Sequence, residues 1–207
     1  MDLRLYNARI SFANGLWNAS SAVEGSTPKY NCDFIVTEDT EVQMKDASGK
    51  WVPTTLAKAQ EAVALDAFKG DKAKAAAWFK KLDSRQRSVR KGDDNTGKDG
   101  EVRDGYAGCD YVHATSKTRM PVYDAQVRPV ASEADSPIYS GCYVVARVSL
   151  YANLKAGMQG LFASLQGTQF WRDGDAFGGG RAASTDDFAA APAGGDAGDF
   201  GDESAFA

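Results

Sequence analysis

The sequence has few of the features that are typical of membrane, secreted or metal-binding proteins. It has three cysteines and one histidine in 207 residues, and no apolar run approaches the roughly 20 residues that a membrane helix needs. Cys32, Cys109 and Cys142 form an odd set at wide spacing, which is typical of reduced thiols and not of a disulfide framework. The start of the chain lacks the basic and apolar stretches of a signal peptide. We therefore expect a cytoplasmic protein that does not associate with a membrane.

The scarcity of ligand residues also argues against a metal site or a catalytic centre. The cysteines and His113 include no Cys-x-x-Cys pair, and Cys109 and His113 are four residues apart on a predicted strand, roughly 13 Å along its axis. The run at 178–181 is glycine-rich but lacks the Lys-Ser/Thr ending of a phosphate-binding loop. A metal-dependent nuclease is the remaining alternative. Its candidate residues are Asp104 and Asp110, chosen only because they lie near the predicted binding face. We expect no metal, no cofactor and no enzymatic activity.

The chain has little net charge, but the charge is unevenly distributed. The formal total is -4, yet residues 173–207 contain eight acids against one base, Arg181. This segment therefore carries -7, and residues 1–172 carry about +3. An evenly acidic protein would be a poor partner for nucleic acid, whereas a mildly basic body with an acidic appendage is not. Because residues 173–207 are mostly Gly, Ala and Asp, they cannot bury enough apolar surface to offset ordering entropy, and we predict a disordered tail.

Residues 1–172 have the pattern of a small β-barrel. Apolar and polar residues alternate with a period of two, which predicts short, half-buried strands. The predicted strands span residues 3–12, 30–37, 108–117, 119–127, 141–154 and 157–171. Five or six short strands with irregular connections suit a small barrel.

The other long segments of the body have different patterns. Residues 54–83 show helical spacing, with Gly70 ending one helix and Asp71 capping the next, so we predict a helical insert between strands. Trp78 and Phe79 are expected to pack this insert against the barrel. Residues 83–105 are charged and contain several glycines, which predicts a mobile loop with a short strand at its start.

Two predicted strands have an outward face suited to a single nucleic-acid strand, which exposes bases for stacking and phosphates for basic groups. On one strand Tyr111, His113 and Lys117 share a face, and on another Arg147 and Tyr151 lie opposite an aliphatic row. Any one of these tyrosines could instead be structural, with a satisfied hydroxyl. A core face rarely ends in His, Thr and Lys, so we interpret the set as a binding surface.

We assign the candidate site residues on this basis. Stacking is predicted for Trp17, Tyr30, Tyr106, Tyr111 and Tyr151, and phosphate contact for Lys29, Lys117, Arg119 and Arg147, with His113 on the same face. The run Arg85, Arg87 and Arg90 is equally consistent with phosphate contact and with a solvated charged segment.

Several short motifs, taken in order, resemble one family. They are Pro28-Lys29-Tyr30, Gly105-Tyr106-Ala107-Gly108, Ser116-Lys117-Thr118-Arg119, Tyr139-Ser140-Gly141-Cys142-Tyr143-Val144 and Trp171-Arg172-Asp173-Gly174 followed by Phe177-Gly178-Gly179. Together, over nearly all of residues 1–180, they resemble the single-stranded DNA-binding proteins of tailed bacteriophages, in particular that of an enterobacterial phage.

The resemblance implies an OB-fold over residues 1–172 and sequence-tolerant binding of single-stranded DNA in replication or recombination. The ending Asp202-Glu203-Ser204-Ala205-Phe206-Ala207 is similar to the acidic, aromatic-tipped tails of other single-strand binders. We therefore expect Asp199, Asp202, Glu203 and Phe206 to dock replication or recombination proteins, and the tethered polyanion to compete with DNA for the basic face. A solubilising or linker tail is the simpler alternative.

A second function remains consistent with the sequence. The β-domain of a recombination accessory factor could use the same strand-face aromatics to bind protein. That hypothesis predicts weak DNA affinity with little dependence on salt, whereas binding to phosphates weakens steeply as salt rises. The sequence does not predict the oligomeric state.

Overall fold

The computed structural model describes residues 1–21 and 25–178, which form nine strands and two α-helices. In chain order the strands are β1 (Asp2–Ser11), β2 (Tyr30–Val36), β3 (Glu41–Lys45), β4 (Trp51–Pro53), β5 (Val89–Lys91), β6 (Asp110–Ser116), β7 (Val122–Tyr123), β8 (Tyr143–Asn153) and β9 (Gly160–Arg172). The helices are α1 (Leu56–Ala67) and α2 (Lys72–Lys81).

Five of the strands close into a barrel. β1 pairs with β2, β2 with β6, β6 with β9, β9 with β8, and β8 pairs back with β1. The β6–β9 pair is parallel and the other four are antiparallel. This closed five-stranded arrangement is an OB-fold, so the predicted fold class is confirmed.

The barrel interior follows from the alternation of side chains along the strands. In β1, Leu3 and Leu5 are buried, and so are Ala8 and Ile10 after a register shift. Asn7 has a φ of 59° within that shift, which returns apolar residues to the inside. The last two strands contribute Val144, Ala146, Val148 and Leu150 from β8 and Leu161, Ala163 and Leu165 from β9. Each fully buried Val, Leu or Ile side chain among them contributes about 1.5–3 kcal/mol of transfer free energy.

The predicted helical insert is confirmed. The side chain of Thr55 accepts a hydrogen bond from the Lys58 amide at the start of α1, and Asp71 accepts from the Lys74 amide at the start of α2. Gly70 between them has a φ of +84°, the left-handed conformation that favours glycine after a helix. Trp78 is buried in the core cluster that contains the barrel residues, and Phe79 packs against that cluster, as expected. Within the described residues, neither helix has the length and apolar character needed to cross a membrane.

A hairpin of β3 and β4 was not predicted. It extends the sheet beyond β1, since Leu5 of β1 faces Val42 of β3. Its turn is built by Asp46, whose Oδ1 accepts hydrogen bonds from the amides of Ser48 and Lys50, while Gly49 has a φ of +85°. An Asp-x-Ser-Gly turn after alternating residues is a recognisable hairpin signal.

The segment at 83–105 is more structured than a plain loop. It contains the predicted short strand, β5, which pairs with β6. The Gly92 amide then donates to the carbonyl of Cys109 over 2.7 Å, and a Cβ at Gly92 would lie 2.0 Å from the carbonyl oxygen of Tyr106. This glycine therefore allows the segment to pack directly on the residues before β6.

The boundary predicted at Asp173 is wrong for the first residues of the tail. Residues 173–178, here called the strap, lie along the barrel. The Phe177 amide donates to the Ser140 carbonyl over 2.9 Å, and the Tyr139 hydroxyl donates to the Gly174 carbonyl over 2.8 Å. Arg9 donates to the Asp175 carbonyl over 2.7 Å and its guanidinium lies over the Phe177 ring. The proposed docking residues Asp199, Asp202, Glu203 and Phe206 lie outside the described residues.

Candidate nucleic-acid interface

One outer face of the barrel forms a continuous groove, here called the strand groove. It crosses the outer sides of β6, β9 and β8 and is bordered by the start of β2. Three depressions merge along it, and all three are lined by Lys29 and Thr115. His113 and Lys117 extend the lining along β6, and Tyr151 on β8 forms the opposite side.

The strand groove is cationic. Its lining includes Lys29, Arg85, Arg90 and Lys117, together with His113. Among the described residues that line it, none is an aspartate or a glutamate. The remaining polar lining is mainly Ser, Thr, Asn and Gln. Such a surface attracts phosphates without repelling them at any of these positions.

An aromatic pair lies at the β8–β9 side of the strand groove. Tyr151 is 47% exposed and faces Phe162 across the strands, with ring centroids 6.0 Å apart. Met158, 59% exposed, lines the same end. Sequence reasoning selected Tyr151 but missed Phe162. The alternation of Leu161, Ala163 and Leu165 as inward residues was the signal that could have placed Phe162 outward.

His113 is held in the strand groove by a buried carboxylate. Its Nδ1 lies 2.7 Å from Oδ1 of Asp33, and Oδ2 of the same residue accepts a 2.7 Å hydrogen bond from the Tyr106 hydroxyl. Asp33 therefore contacts both side chains, and its contact with Nδ1 fixes the orientation of the imidazole ring in the groove. Burial, reinforced by the charge of Asp33, raises the pKa of Tyr106, so its hydroxyl stays a donor.

Tyr106 and Tyr111 were wrongly predicted as stacking residues. Tyr106 is fully buried and Tyr111 is 5% exposed, so neither offers a ring face to a base. The two rings meet edge to face with centroids 5.0 Å apart, and they pack with Ile35 and Phe177 into a second, smaller core. Tyr111 does lie on the outer face of β6, as the alternation required, but the strap and the segment before β6 cover that end of the face.

Three other predicted contacts lie away from the strand groove. Trp17 is half-buried, and the Arg119 guanidinium lies 4.9 Å from its ring centroid while also donating to the Ala131 carbonyl. Tyr30 lies on the same side of β2 as Cys32, whose side chain points into the barrel. It therefore does not line the groove. The roles assigned to these three residues remain predictions.

The remaining predicted contacts lie in the strand groove or beside it. Lys29 and Lys117 are exposed within it. Arg147 lies on the outer face of β8, four residues before Tyr151 and just beyond the groove lining. Of the undecided arginine run, Arg85 and Arg90 line the groove, whereas Arg87 packs over Phe79 and donates to its carbonyl.

Among residues 1–21 and 25–178, the residues considered for a metal site or a nuclease centre do not come together. No group of three or more His, Cys, Asp and Glu side chains comes together there as a metal site. Asp110 pairs with Lys91 at 2.7 Å, and Asp104 accepts a hydrogen bond from the Gly178 amide in the strap. All three cysteines are free thiols, and burial raises the pKa of Cys142 to about 11.

An OB-fold with a cationic groove across its outer strand face, in which no described lining residue is a carboxylate, has the features of the class of OB proteins that bind single nucleic-acid strands. Residues 1–200 match the family described as the ssDNA-binding protein of Enterobacter phage Enc34, and this chain belongs to that family. The family resemblance noted in the sequence is thereby confirmed. It is a family of binding proteins, in agreement with the expectation that the chain is not an enzyme.

Two solved structures and one further phage protein are similar to this chain. The single-stranded DNA-binding protein from bacteriophage Enc34, solved in complex with ssDNA, is 18% identical, with a TM-score of 0.62 over 86% of this chain and 89% of that one. Its C-terminal truncation is 17% identical, with a TM-score of 0.56 over 85% and 88%. A protein named p50 from Acyrthosiphon pisum secondary endosymbiont phage 1 is 46% identical over 93 residues, 44% of this chain. The match spans half the length of that relative.

Proposed function

We propose that this protein binds single-stranded DNA in the strand groove, with little sequence preference and without catalysis. Its role would be to protect and organise such DNA during phage replication or recombination in the cytoplasm of the bacterial host. The observation that carries the proposal is the groove itself, which Lys29, Arg85, Arg90 and Lys117 line together with the exposed Tyr151 and the half-buried Phe162. None of its described lining residues is a carboxylate. Membership of a family of phage ssDNA-binding proteins supports it.

The cations and the aromatic rings of the strand groove have different proposed roles. Lysines and arginines neutralise phosphates, which fixes the strand without reading its sequence. Tyr151 and Phe162 offer ring surfaces on which any base can stack, worth about 1–3 kcal/mol per base. Stacking and phosphate contact are common to all four bases, so the binding tolerates sequence.

The groove proposal is tested by anisotropy titration of a labelled oligonucleotide at several salt concentrations. Charge reversal of Lys29 or Lys117 is expected to weaken binding and to reduce the salt slope by about 0.7 for each phosphate that the protein no longer neutralises. Lys58→Glu is the matched control, because Lys58 is exposed on α1 and does not line the groove. Weakening by Lys58→Glu as large as that by Lys117→Glu would contradict a specific groove.

We further propose that the acidic tail modulates this binding and recruits replication or recombination proteins. Residues 179–207 carry six acids and one base, so they can compete with phosphates for the same cations. The tail begins close to the groove, because Phe177 packs in the small core with Tyr111, two residues before His113 on the same face of β6. Once DNA displaces the tail, Asp199, Asp202, Glu203 and Phe206 become available to a partner.

The alternative is a protein-interaction factor whose strand face binds protein. It predicts that replacing Tyr151 and Phe162 abolishes capture of a protein partner while leaving a weak, salt-insensitive DNA affinity. A cationic groove favours the DNA proposal, because a protein-binding strand face has no need to exclude carboxylates. A steep fall of affinity with salt is the outcome that separates the two.

A further inference from the structure

A second concentration of cations and aromatics lies on the outer face of the β3–β4 hairpin. Three cationic groups surround the ring of Trp51. The Arg4 guanidinium lies 4.2 Å from its centroid, that of Arg147 4.8 Å, and the Lys45 ammonium 5.9 Å. We call these four residues the hairpin patch. A single tryptophan with three cations around it needs an explanation, since the cations repel one another.

The hairpin patch continues the strand groove across the sheet. Ser149 and Ser164, which line the groove, face each other across β8 and β9. Two residues before Ser149 along β8, Arg147 faces Arg4 of β1, and Lys45 of β3 faces Trp51 of β4. With about 4.8 Å between neighbouring strands, the step from β8 to β4 is about 14 Å. A strand leaving the groove over β8 would reach the patch directly.

The charge of the hairpin patch suits a polyanion. The patch has three cations, and Asp2 pairs with one of them, its Oδ2 lying 3.6 Å from an Arg147 nitrogen. Glu41 lies on the same face of β3, where it accepts a hydrogen bond from Gln43, the residue opposite Arg4. Cations therefore outnumber carboxylates three to two on this face. Arg147 and Asp2 are each more than a third exposed, so this ion pair is accessible to competition from solvent and from phosphate. An indole with a guanidinium over it can exchange part of that contact for a stacked base.

We propose that the hairpin patch is a second contact for the same single strand of DNA, which runs from the strand groove over β8 and β1 onto β3 and β4. Arg4, Lys45 and Arg147 take phosphates there, and Trp51 takes a base. The inference rests on the proposed function of the groove. It assigns the unpredicted hairpin a role in setting the length of DNA that one molecule covers.

A purely structural role for these contacts makes different predictions. If the cations serve only to hold Trp51 and so fix the hairpin, their removal lowers stability and leaves the length of bound DNA unchanged. Lys45 is exposed and its ammonium lies 5.9 Å from the Trp51 ring centroid, so its replacement separates the two roles without removing core packing.

The test compares a short and a long oligonucleotide, about 6 and 16 nucleotides, which span the site sizes of OB-folds. The full-length protein is titrated with each at fixed salt. We expect Lys45→Glu to weaken binding of the long oligonucleotide several-fold and to leave the short one unchanged. Asp2→Asn is expected to strengthen binding of the long one alone. Trp51→Ala should cost about fivefold or more on the long oligonucleotide.

The outcomes separate the hairpin proposal from the groove proposal. If the wild type binds neither oligonucleotide, the groove proposal fails and the hairpin proposal with it. If the wild type binds both, but Lys45→Glu and Asp2→Asn leave the long oligonucleotide unaffected, the hairpin proposal is overturned and the groove proposal stands. Lys58→Glu, which reverses a charge on α1 away from both surfaces, controls for net charge.

Discussion

At the scale of single residues, burial separates tyrosines that look alike in the sequence. Tyr106 lies just before β6 and Tyr151 lies within β8, yet the first is fully buried and the second is 47% exposed. The Tyr106 hydroxyl satisfies Asp33, a carboxylate that is itself buried. Tyr151 lies instead beside Phe162 at the groove surface. One tyrosine therefore serves the core, and the other is available to a ligand.

This difference predicts opposite effects for two substitutions. Tyr106→Phe removes the donor to a buried carboxylate and is expected to lower the free energy of unfolding by about 1–3 kcal/mol, with little change in DNA affinity. Tyr151→Ala is expected to weaken DNA binding by about 1–3 kcal/mol with little change in stability. Urea denaturation and anisotropy titration measure the two quantities. If Tyr106→Phe lowered the DNA affinity without lowering the free energy of unfolding, Tyr106 would be a DNA-contacting residue after all.

At the scale of elements, the strap connects the barrel to the acidic tail. It crosses Gly141, where φ is +109° and a Cβ would lie 2.1 Å from the Asp175 carbonyl oxygen. Its Phe177 ring completes the small core that covers Tyr106 and Tyr111. The strap is thus part of the folded body, and it determines the point on the barrel from which the tail leaves.

The strap predicts that two truncations differ in stability. A chain ending at Arg172 lacks the backbone hydrogen bonds of the strap and the Phe177 ring, so it is expected to be about 2–4 kcal/mol less stable than a chain ending at Gly178. Gly141→Ala in the full-length chain should reproduce part of this destabilisation. Calorimetry or urea denaturation gives the comparison. Equal stabilities for the two truncations would mean that the strap contributes nothing to the fold.

At the scale of the whole molecule, the distribution of charge matters more than its total. Residues 1–178 carry about +1 and residues 179–207 carry -5, which together give the formal -4. The strand groove brings Lys29, Arg85, Arg90 and Lys117 together. The acids Asp99, Glu101 and Asp104 line a separate depression beside the strap. On the function proposed above, the tethered polyanion would compete with DNA for the strand groove.

Removal of the tail after Gly178 is expected to tighten binding of single-stranded DNA. The gain should be largest at low salt and shrink as salt screens the competition between tail and phosphate. Anisotropy titration of the two chains across a salt series measures it. A full-length chain with Asp199→Asn, Asp202→Asn and Glu203→Gln serves as the control that keeps the length of the tail. Equal affinities at low salt for the full and truncated chains would mean that the tail does not compete with DNA. It would then serve as a linker or as a docking segment for a protein partner.

How much of the structure the sequence predicted depends on how far apart in the chain the interacting residues are. The barrel strands, the helical insert and the caps at Thr55 and Asp71 depend on neighbours within a few residues, and the pattern contained most of that information. The outward faces of β6 and β8 followed in the same way from a period of two. Phe162 and the β3–β4 hairpin were within reach of the same rules, because alternation and turn chemistry are both local.

The tertiary structure alone decided which outward residues are uncovered. Tyr111 and His113 share one face of β6, but Phe177, more than 60 residues later in the chain, closes over the first and leaves the second in the groove. It also decided that Asp33, on β2, orients His113 on β6. A local pattern determines which side of a strand a residue faces. Whether that side meets solvent, DNA or another part of the chain depends on contacts between residues far apart in sequence, which no local pattern encodes.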